Sequence, residues 1–277
     1  MLELPESTTL SQQTSESLKG KVIQSVVVAQ SPHKFAWYHG DPQAYPSRLT
    51  GTTLHSAEAH GGFVQLNTSA ATLLFSDGVN LRWHPAAGPL PAKHQLLLAF
   101  EGGTALSASV AMYGGLICWE LGTPFDNPYY QIACEKPSPL SDAFDTAYFE
   151  DLILTEKVRP LSLKAALVTE QRIPGLGNGC LQDILWLAGL NPRQKVLGLS
   201  DAQINSLFSN LKQTLASMAQ LGGRNTEKDL FGQPGAYLVT MSAANAGSPC
   251  PRCGGTIVKE AYLGGSVYYC SSCQPRQ

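Results

Sequence analysis

The chain has 277 residues and is 43% hydrophobic, enough for two domains, or two domains and a small module, with a sizeable buried core. Its net charge is −2, no apolar run reaches the roughly 20 residues of a membrane span, and no basic segment followed by an apolar one opens it. These features exclude membrane-spanning and secreted proteins, and we expect a cytoplasmic protein without a membrane partner.

The charge is divided unevenly between the two halves of the chain. Residues 1–149 hold 7 Lys/Arg and 12 Asp/Glu, a net of −5, whereas residues 150–277 hold 12 and 9, a net of +3. An anionic partner would therefore be expected to bind mainly to the C-terminal half. The asymmetry is mild, which argues against strong non-specific binding to nucleic acid.

The N-terminal half is predicted to be a helix followed by a β-rich domain. The opening MLELPES places Glu3 and Glu6 on either side of Leu4-Pro5, and residues 5–19 suit a helix that ends at Gly20. Residues 22–128 contain strand-like apolar runs broken by Gly, Pro and Asp. Exposed carboxylates near a terminus do little for folding, so Glu3 and Glu6 need another explanation.

The middle of the chain predicts helices on either side of a glycine-rich turn. One helix is expected over 161–170, the turn PGLGNG over 174–179, and a second helix from about 179 to 188. Ser200-Asp201 then caps an amphipathic helix. Such a helix–two-turn–helix unit could hold a phosphate, because glycines allow close approach and helix starts favour anions. The same glycines also suit a tight turn without a ligand.

Four cysteines near the C-terminus form two C-x2-C pairs separated by sixteen residues: Cys250, Cys253, Cys270 and Cys273. This spacing predicts a tetrahedral, four-thiolate zinc site. Strand-like runs at 256–258 and 266–269, with Gly264-Gly265 between them, predict a two-stranded ribbon. Two disulfides are the alternative, which a cytoplasmic chain disfavours. Because the ribbon has little core, zinc is expected to supply about 10 kcal/mol of its folding energy.

Three features in order, ELPE at the start, GLGN between helices and the four-cysteine ribbon, resemble the formamidopyrimidine-DNA glycosylase / endonuclease VIII family. The most specific matches are IPGLGNGCLQDILWLAGLNPR, GGRNTEKDLFGQPGAY and the ribbon. The resemblance implies an α+β fold: a catalytic-type β-sandwich with an N-terminal helix over 1–135, a helix–two-turn–helix DNA-binding domain over 136–240, and a zinc finger over 241–277. It also implies a monomer that acts on damaged or abasic double-stranded DNA, and hence association with the nucleoid.

The family's chemistry gives the opening motif a role. A damaged base is flipped out of the stack, an N-terminal amine attacks the anomeric carbon to form a Schiff base, and a lyase step then nicks the strand. The resemblance makes Glu3 the acid/base in sugar ring opening and Glu6 an organiser of the site. The amine would belong to Met1 or, after its removal, to Leu2.

The resemblance also implies DNA contacts. Asn178, through its turn with Gly177, would bind a phosphate, and Lys164 on the preceding helix would contact the DNA backbone. Tyr113 falls where the family has an aromatic wedge that fills the space left by the flipped base, a contribution of ~1–3 kcal/mol. The alternative for Tyr113 is a core tyrosine beside a glycine turn.

The sequence departs from the family at the nucleophile. Family members begin Met-Pro-Glu, and the proline amine exposed by methionine removal is the nucleophile, whereas position 2 here is Leu. Methionine removal needs a small second residue, so Met1 is expected to stay, and its amine would lie one residue, ~3.5 Å, from the family position. That displacement is large for catalysis.

Other family side chains that face the lesion are also missing. A hairpin lysine aligns with Gly62, and His60 nearby is expected to be a surface or internally satisfied histidine. A phosphate-binding arginine of the ribbon aligns with Gly265, and Arg252 is not expected to replace it. Ala111-Met112 stands where an arginine usually precedes the wedge.

The sequence therefore leaves several functions open. The first is a glycosylase that hydrolyses the N-glycosidic bond with reduced or absent AP-lyase activity, Glu3 activating the water. The others are a non-catalytic binder of damaged or abasic DNA, an orthodox bifunctional glycosylase/AP lyase and, more remotely, a zinc-ribbon adaptor for protein partners.

Overall fold

The structure is a computed structural model that describes residues 2–276. Its helices are α1 (Leu4–Leu18), α2 (Tyr45–Leu49), α3 (Pro128–Glu135), α4 (Thr146–Ile153), α5 (Leu163–Val168), α6 (Asn178–Ala188) and α7 (Asp201–Gln220). Its strands are β1 (Ile23–Val28), β2 (Ala36–Tyr38), β3 (Leu54–His60), β4 (Phe63–Thr68), β5 (Ala71–Phe75), β6 (Val79–His84), β7 (Leu96–Phe100), β8 (Ala105–Val110), β9 (Gly114–Glu120), β10 (Ile257–Tyr262) and β11 (Gly265–Cys270).

The N-terminal half is a two-layer β-sandwich. One sheet has the antiparallel order β1-β7-β8-β6, and the other has the order β2-β9-β5-β4-β3, with only the β2–β9 pair parallel. Apolar side chains from both sheets, such as Leu66, Leu73, Leu98 and Leu106, form the core between the layers. Burial of these side chains holds the layers together.

Helix α1 joins the sandwich to the helical domain. It begins after Glu3, where Pro5 suits the first turn and the Glu6 carboxylate accepts the Glu3 N–H at 3.3 Å. Leu10 and Leu18 pack in the sandwich core, whereas Leu4 packs in the core of the helical domain. The first turn of α1 is therefore fixed at the junction of the two domains.

The helical domain packs α4–α7 around an apolar core. Ser200 caps the start of α7, as the sequence predicts, and it forms a capping box with Gln203. After α7, residues 221–256 return to the sandwich, where Leu230 joins its core and accepts the Trp83 N–H through its carbonyl. This segment contains the predicted boundary at residue 240 and contacts both domains.

The C-terminal ribbon of β10 and β11 packs against α6, and the predicted α+β fold is confirmed. Among residues 2–276, no helix is long and apolar enough to cross a membrane.

Candidate active site

The Glu3 carboxylate caps the N-terminus of α6. Its Oε2 accepts the N–H groups of Gly177 at 3.1 Å and Cys180 at 2.9 Å, and its Oε1 accepts the N–H of Gly179 at 2.8 Å. These are the unpaired donors of a helix start, which attract an anion. The anion that the GLGNG turn holds is therefore a side chain of the chain itself, and the Gly177 N–H is committed to it.

Two glycines of this turn make the close approach possible. A Cβ on Gly177 would lie 2.5 Å from Glu3 Cδ, and a Cβ on Gly179 would overlap Arg224 Nη1. Neither position has room for a side chain unless the carboxylate or the guanidinium moves. The glycines are thus required by the cap on α6.

Arg224 links both N-terminal carboxylates and was not identified from the sequence. Its Nη1 donates to Glu3 Oε1 at 3.1 Å, and its Nε and Nη2 donate to the two oxygens of Glu6 at 2.9 and 2.8 Å. All three residues are at least 95% buried. Two carboxylates one helical turn apart need a cation if they are buried, but the sequence showed neither their burial nor that the arginine of the GGRN motif would be the cation.

The cluster of Glu3, Glu6 and Arg224 carries a net charge of −1 when all three side chains are ionised. Burial favours the neutral form of Glu3, but the charge of Arg224 and the hydrogen bonds from Cys180 and Gly179 outweigh it and lower the pKa of Glu3. Burial likewise opposes the charge of Arg224, yet the two carboxylates hold its pKa well above the ordinary value. Glu3 is therefore a carboxylate at neutral pH.

A cavity of about 120 Å³ lies beside Leu2 and Glu3. Asp77 and Gln171 also line it, and neither was identified from the sequence. The backbone nitrogen of Leu2 donates to the carbonyl oxygen of Asp77 at 2.7 Å. Met1 lies outside the described residues, so its predicted role is a matter for experiment.

The hairpin at Gly61 and Gly62 packs closely against the GLGN loop. A Cβ on Gly61 would lie 2.8 Å from Pro174 Cβ, and a Cβ on Gly62 would lie 3.0 Å from the Leu2 carbonyl oxygen. A larger residue at Gly62 would require Leu2 to shift. The nearby polar side chain is His60, whose Nε2 lies 3.7 Å from Glu58 Oε2.

Asn178 and Lys164 point towards the ribbon. Asn178 Nδ2 donates to the Ser266 carbonyl at 2.7 Å, and Lys164 Nζ donates to the Tyr262 carbonyl at 2.6 Å. A Cβ on Gly265 would lie 3.6 Å from both nitrogens. Gly265 is therefore flanked by the Asn178 amide and the Lys164 amine.

Arg252 lies elsewhere, as expected. It donates to the carbonyl oxygens of Trp186 and Leu187 at the end of α6, and its guanidinium lies 4.7 Å from the Trp186 ring. It therefore stabilises the helix C-terminus and does not reach Gly265.

Tyr113 lies on the loop between β8 and β9. Its ring is 5.9 Å from that of Trp37, a half-exposed residue, and Met112 beside it is 62% exposed. Tyr113 also lines a cavity of about 150 Å³ with Gly78 and Glu227. It is not a core tyrosine, since it belongs to an aromatic surface at the edge of the sandwich.

A larger cavity of about 260 Å³ lies between α6, the ribbon and residues 224–243. Glu3 lines both this cavity and the 120 Å³ cavity. Half of the lining comes from the segment NTEKDLFGQPGAYLVTMSAA: Thr226, Glu227, Val239, Met241, Ser242 and Ala243.

The four ribbon cysteines converge, with every Sγ within 4.8 Å of the others. The Sγ atoms of Cys250 and Cys273 are 3.8 Å apart, and those of Cys253 and Cys270 are 3.5 Å apart. Four sulfurs at about 2.3 Å from one Zn²⁺ would be about 3.8 Å apart in a tetrahedron, so the cluster fits zinc. With every position filled by a thiolate, the site is structural.

A β-sandwich, a helix–two-turn–helix domain and a four-cysteine ribbon that meet around buried N-terminal carboxylates define the class of this protein. Family models match all three parts: "Formamidopyrimidine-DNA glycosylase N-terminal domain" over residues 1–109, "Formamidopyrimidine-DNA glycosylase H2TH domain" over 136–229, and "Zinc finger found in FPG and IleRS" over 247–276. The chain therefore belongs to the formamidopyrimidine-DNA glycosylase / endonuclease VIII family, and the structural zinc prediction is confirmed.

Individual relatives agree with this placement. The formamidopyrimidine-DNA glycosylase of Lactobacillus delbrueckii subsp. bulgaricus is 28% identical over 287 residues, covering all of both chains. The MutM (Fpg) protein of Thermus thermophilus has the same fold, with a TM-score of 0.81 at 22% identity over 99% of both chains. Lactococcus lactis Fpg in complex with abasic-site DNA has the same fold, with a TM-score of 0.83 at 22% identity over 99% of this chain and 100% of that chain.

Proposed function

We propose that this chain is a DNA-repair glycosylase that binds damaged double-stranded DNA, flips out a base and hydrolyses its N-glycosidic bond, with AP-lyase activity reduced or absent. The observation that carries the proposal is the buried cluster of Glu3, Glu6 and Arg224 between two cavities, next to a nitrogen that belongs to Leu2 instead of a proline.

The charge of this cluster suits bond cleavage at the sugar. As a base leaves, the anomeric carbon and ring oxygen gain positive charge, and a net charge of −1 held in a buried site stabilises that charge. Glu3 is fixed by four hydrogen bonds and needs no reorganisation during the reaction. In this proposal Glu3 acts electrostatically, Glu6 holds Arg224, and the Leu2 nitrogen is not the nucleophile.

The 260 Å³ cavity is the proposed pocket for the flipped base. It combines apolar walls from Val239 and Met241 with polar groups from Thr226 and Glu227, the combination that ligand pockets use. Because Glu3 lines this cavity, a base bound there would place its glycosidic bond near the charged cluster. The lesion would be selected by the contacts that the 224–243 segment makes.

The proposed DNA surface contains Asn178 and Lys164 for the phosphates and Tyr113 as the wedge. The first two nitrogens converge near Gly265, and the Tyr113 ring stands at the sandwich edge beside Trp37. Burial lowers the pKa of Lys164, and a phosphate would favour its charged form. The protein is proposed to act as a monomer at the nucleoid.

A specific observation favours a second candidate, a non-catalytic binder of damaged or abasic DNA. The hairpin at Gly61 and Gly62 is packed against Pro174 and Leu2 where family members carry a lysine. A protein that only binds DNA would keep the phosphate contacts and the wedge while losing this group.

The test uses duplexes with an abasic site, oxidised purines, oxidised pyrimidines or bulky alkylated bases. Half of each reaction is treated with hot alkali and half with borohydride, and intact mass spectrometry shows whether Met1 is present. Alkali-dependent cleavage without a borohydride adduct supports the proposal. A trapped adduct would show an amine nucleophile and the orthodox bifunctional mechanism.

Two variants separate binding from chemistry. Glu3→Gln should lower base release strongly while abasic-site binding is kept, and Asn178→Ala should weaken binding. Tight binding by the wild type with no base released from any duplex would identify the non-catalytic binder, and the absence of salt-sensitive DNA binding would refute both candidates.

A further inference from the structure

Two carboxyl groups with unlike environments line the 120 Å³ cavity, Glu3 and Asp77. Glu3 is saturated by donors: three backbone N–H groups and Arg224. From the described residues, the Asp77 carboxylate accepts a hydrogen bond from Ser76 Oγ, which reaches Oδ2 at 3.2 Å. Paired carboxyl groups in such different surroundings usually divide acid/base work between them.

The cavity is built from strained backbone. Asp77 has a φ of +52°, and Glu170 and Gln171 have φ values of +57° and +49°, although none of the three is a glycine. Such a conformation is energetically costly and persists only where the surrounding structure holds it, most often at functional sites. Here the carbonyl of Asp77 is held by the Leu2 nitrogen, and that of Gln171 accepts Lys136 Nζ at 2.9 Å.

Gln171 adds an acceptor that the fold does not use. Its side-chain Oε1 is shielded from solvent, and none of the residues between 2 and 276 donates a hydrogen bond to it. A buried polar atom without a partner costs free energy. The cavity beside it is lined by apolar groups and by Glu3, Ser76 and Asp77, and it is large enough for a water molecule.

We propose that Asp77 is the general base that activates a water molecule in this cavity for hydrolysis of the glycosidic bond. The inference rests on the proposed glycosylase function. The glycosidic bond breaks and the base leaves with its electron pair, taking a proton from solvent. The water oxygen bonds to the anomeric carbon, and its proton passes to Asp77. The products are the free base and an abasic sugar.

The positions of the two cavities suit this reaction. With the base in the 260 Å³ cavity and the water in the 120 Å³ cavity, the anomeric carbon would lie between them, next to Glu3, which lines both. Nucleophile and leaving group would then be on different sides of the reacting carbon.

The charged and titratable groups around Asp77 agree with the role of a base. Burial raises the pKa of Asp77, and the hydrogen bond from Ser76 opposes that rise. Glu3 shares the cavity as a carboxylate, and the hydroxyl of Tyr113 has a pKa raised by burial and by Asp77. A base with a raised pKa accepts a proton more readily than Glu3, whose pKa is lowered.

The experiment measures single-turnover base release from the best duplex substrate with the full-length, zinc-loaded protein. Asp77→Asn keeps the shape, and Asn tolerates a positive φ, so folding should be preserved. Asp77→Gly also suits this backbone and removes the carboxylate, so that sodium formate can be tested as a replacement base, with sodium chloride at the same ionic strength as its control. Asp142→Asn, at an exposed position after α3, is the matched control.

We expect Asp77→Asn to lower the rate of base release by at least about 100-fold, the usual lower range for general-base catalysis, with abasic-site Kd unchanged. Formate should restore part of the rate of Asp77→Gly and none of that of Glu3→Gln. If the wild type releases base and Asp77→Asn releases it equally fast, or if formate restores nothing, the role of Asp77 is refuted and the glycosylase function stands. If the wild type releases no base, both fall.

Discussion

Replacing Arg224 by methionine should test the buried cluster most directly. The change removes hydrogen bonds of 3.1, 2.9 and 2.8 Å to Glu3 and Glu6 and leaves two carboxylates that are 4% and 5% exposed without their cation. Removing one partner of a buried ion pair costs about 3–5 kcal/mol. Because a whole domain is stabilised by only about 5–15 kcal/mol, the loss should be plain in unfolding experiments.

The penalty should also depend on pH in a defined direction. In the wild type the pKa of Glu3 is lower in the folded protein than in the unfolded chain. The ionised Glu3 therefore contributes stability at pH values above its unfolded-state pKa, and this contribution is lost as the pH falls through its folded-state pKa. Without Arg224, burial is opposed only by hydrogen bonds and the pKa of Glu3 rises. Protonation then relieves the uncompensated charge, so the penalty should shrink as the pH falls from about 7.5 to about 5.5.

The assay is urea unfolding of wild type and variant at both pH values, each variant being compared with the wild type at the same pH so that effects on the zinc site cancel. Arg48→Met is the control, because Arg48 pairs with the exposed Glu120 at 3.4 Å and should cost at most about 1 kcal/mol. A cost for Arg224→Met no larger than that of the control, or a penalty that grows at the lower pH, would refute the proposed energetic role of the cluster.

Gly179→Ala should destabilise the protein by about 1–3 kcal/mol, because its Cβ would overlap Arg224 Nη1. Gly198→Ala, where a Cβ meets open space, should not, and thermal unfolding compares the two variants. Tyr113→Ala should weaken binding to an abasic-site duplex by about 5- to 150-fold, the equivalent of ~1–3 kcal/mol, and Tyr113→Phe should keep most of the affinity. Equal affinities of the wild type and Tyr113→Ala would refute the role of Tyr113 as a wedge. Removal of zinc by a chelator should unfold the ribbon, with a loss of the order of 10 kcal/mol, and abolish DNA binding, as circular dichroism and gel shifts would show; a folded, DNA-binding apoprotein would contradict this.

Local patterns predicted the elements of the fold well. The helix expected over 5–19 is observed at Leu4–Leu18, and the one expected from about 179 to 188 is observed at Asn178–Ala188. The ribbon strands extend further than expected, to Ile257–Tyr262 and Gly265–Cys270, because the whole hairpin pairs in register. Capping residues, glycine punctuation and cysteine spacing are short-range signals, so one sequence suffices to interpret them.

The candidate site depends on contacts between distant parts of the chain, and there the sequence was less informative. Arg224 lies more than 200 residues from Glu3, and nothing in the local pattern pairs them. Asp77 and Gln171 occupy separate turns, and neither turn sequence shows that the two residues line one cavity. The fit of Gly62 against Leu2 likewise follows only from the way the hairpin meets the GLGN loop.

The structure corrects the argument that Glu3 and Glu6 do little for folding. Both are buried, Glu3 caps α6, and through Arg224 the pair joins α1 to the segment after α7. A protein that only binds DNA would need them as much as an enzyme would, so their presence does not distinguish the two functions. Asp77 is more informative, because its carboxylate lines the cavity and, from the described residues, accepts a hydrogen bond from Ser76. Base release by the wild type therefore separates catalysis from binding, and the rate of Asp77→Asn then tests whether Asp77 activates the water.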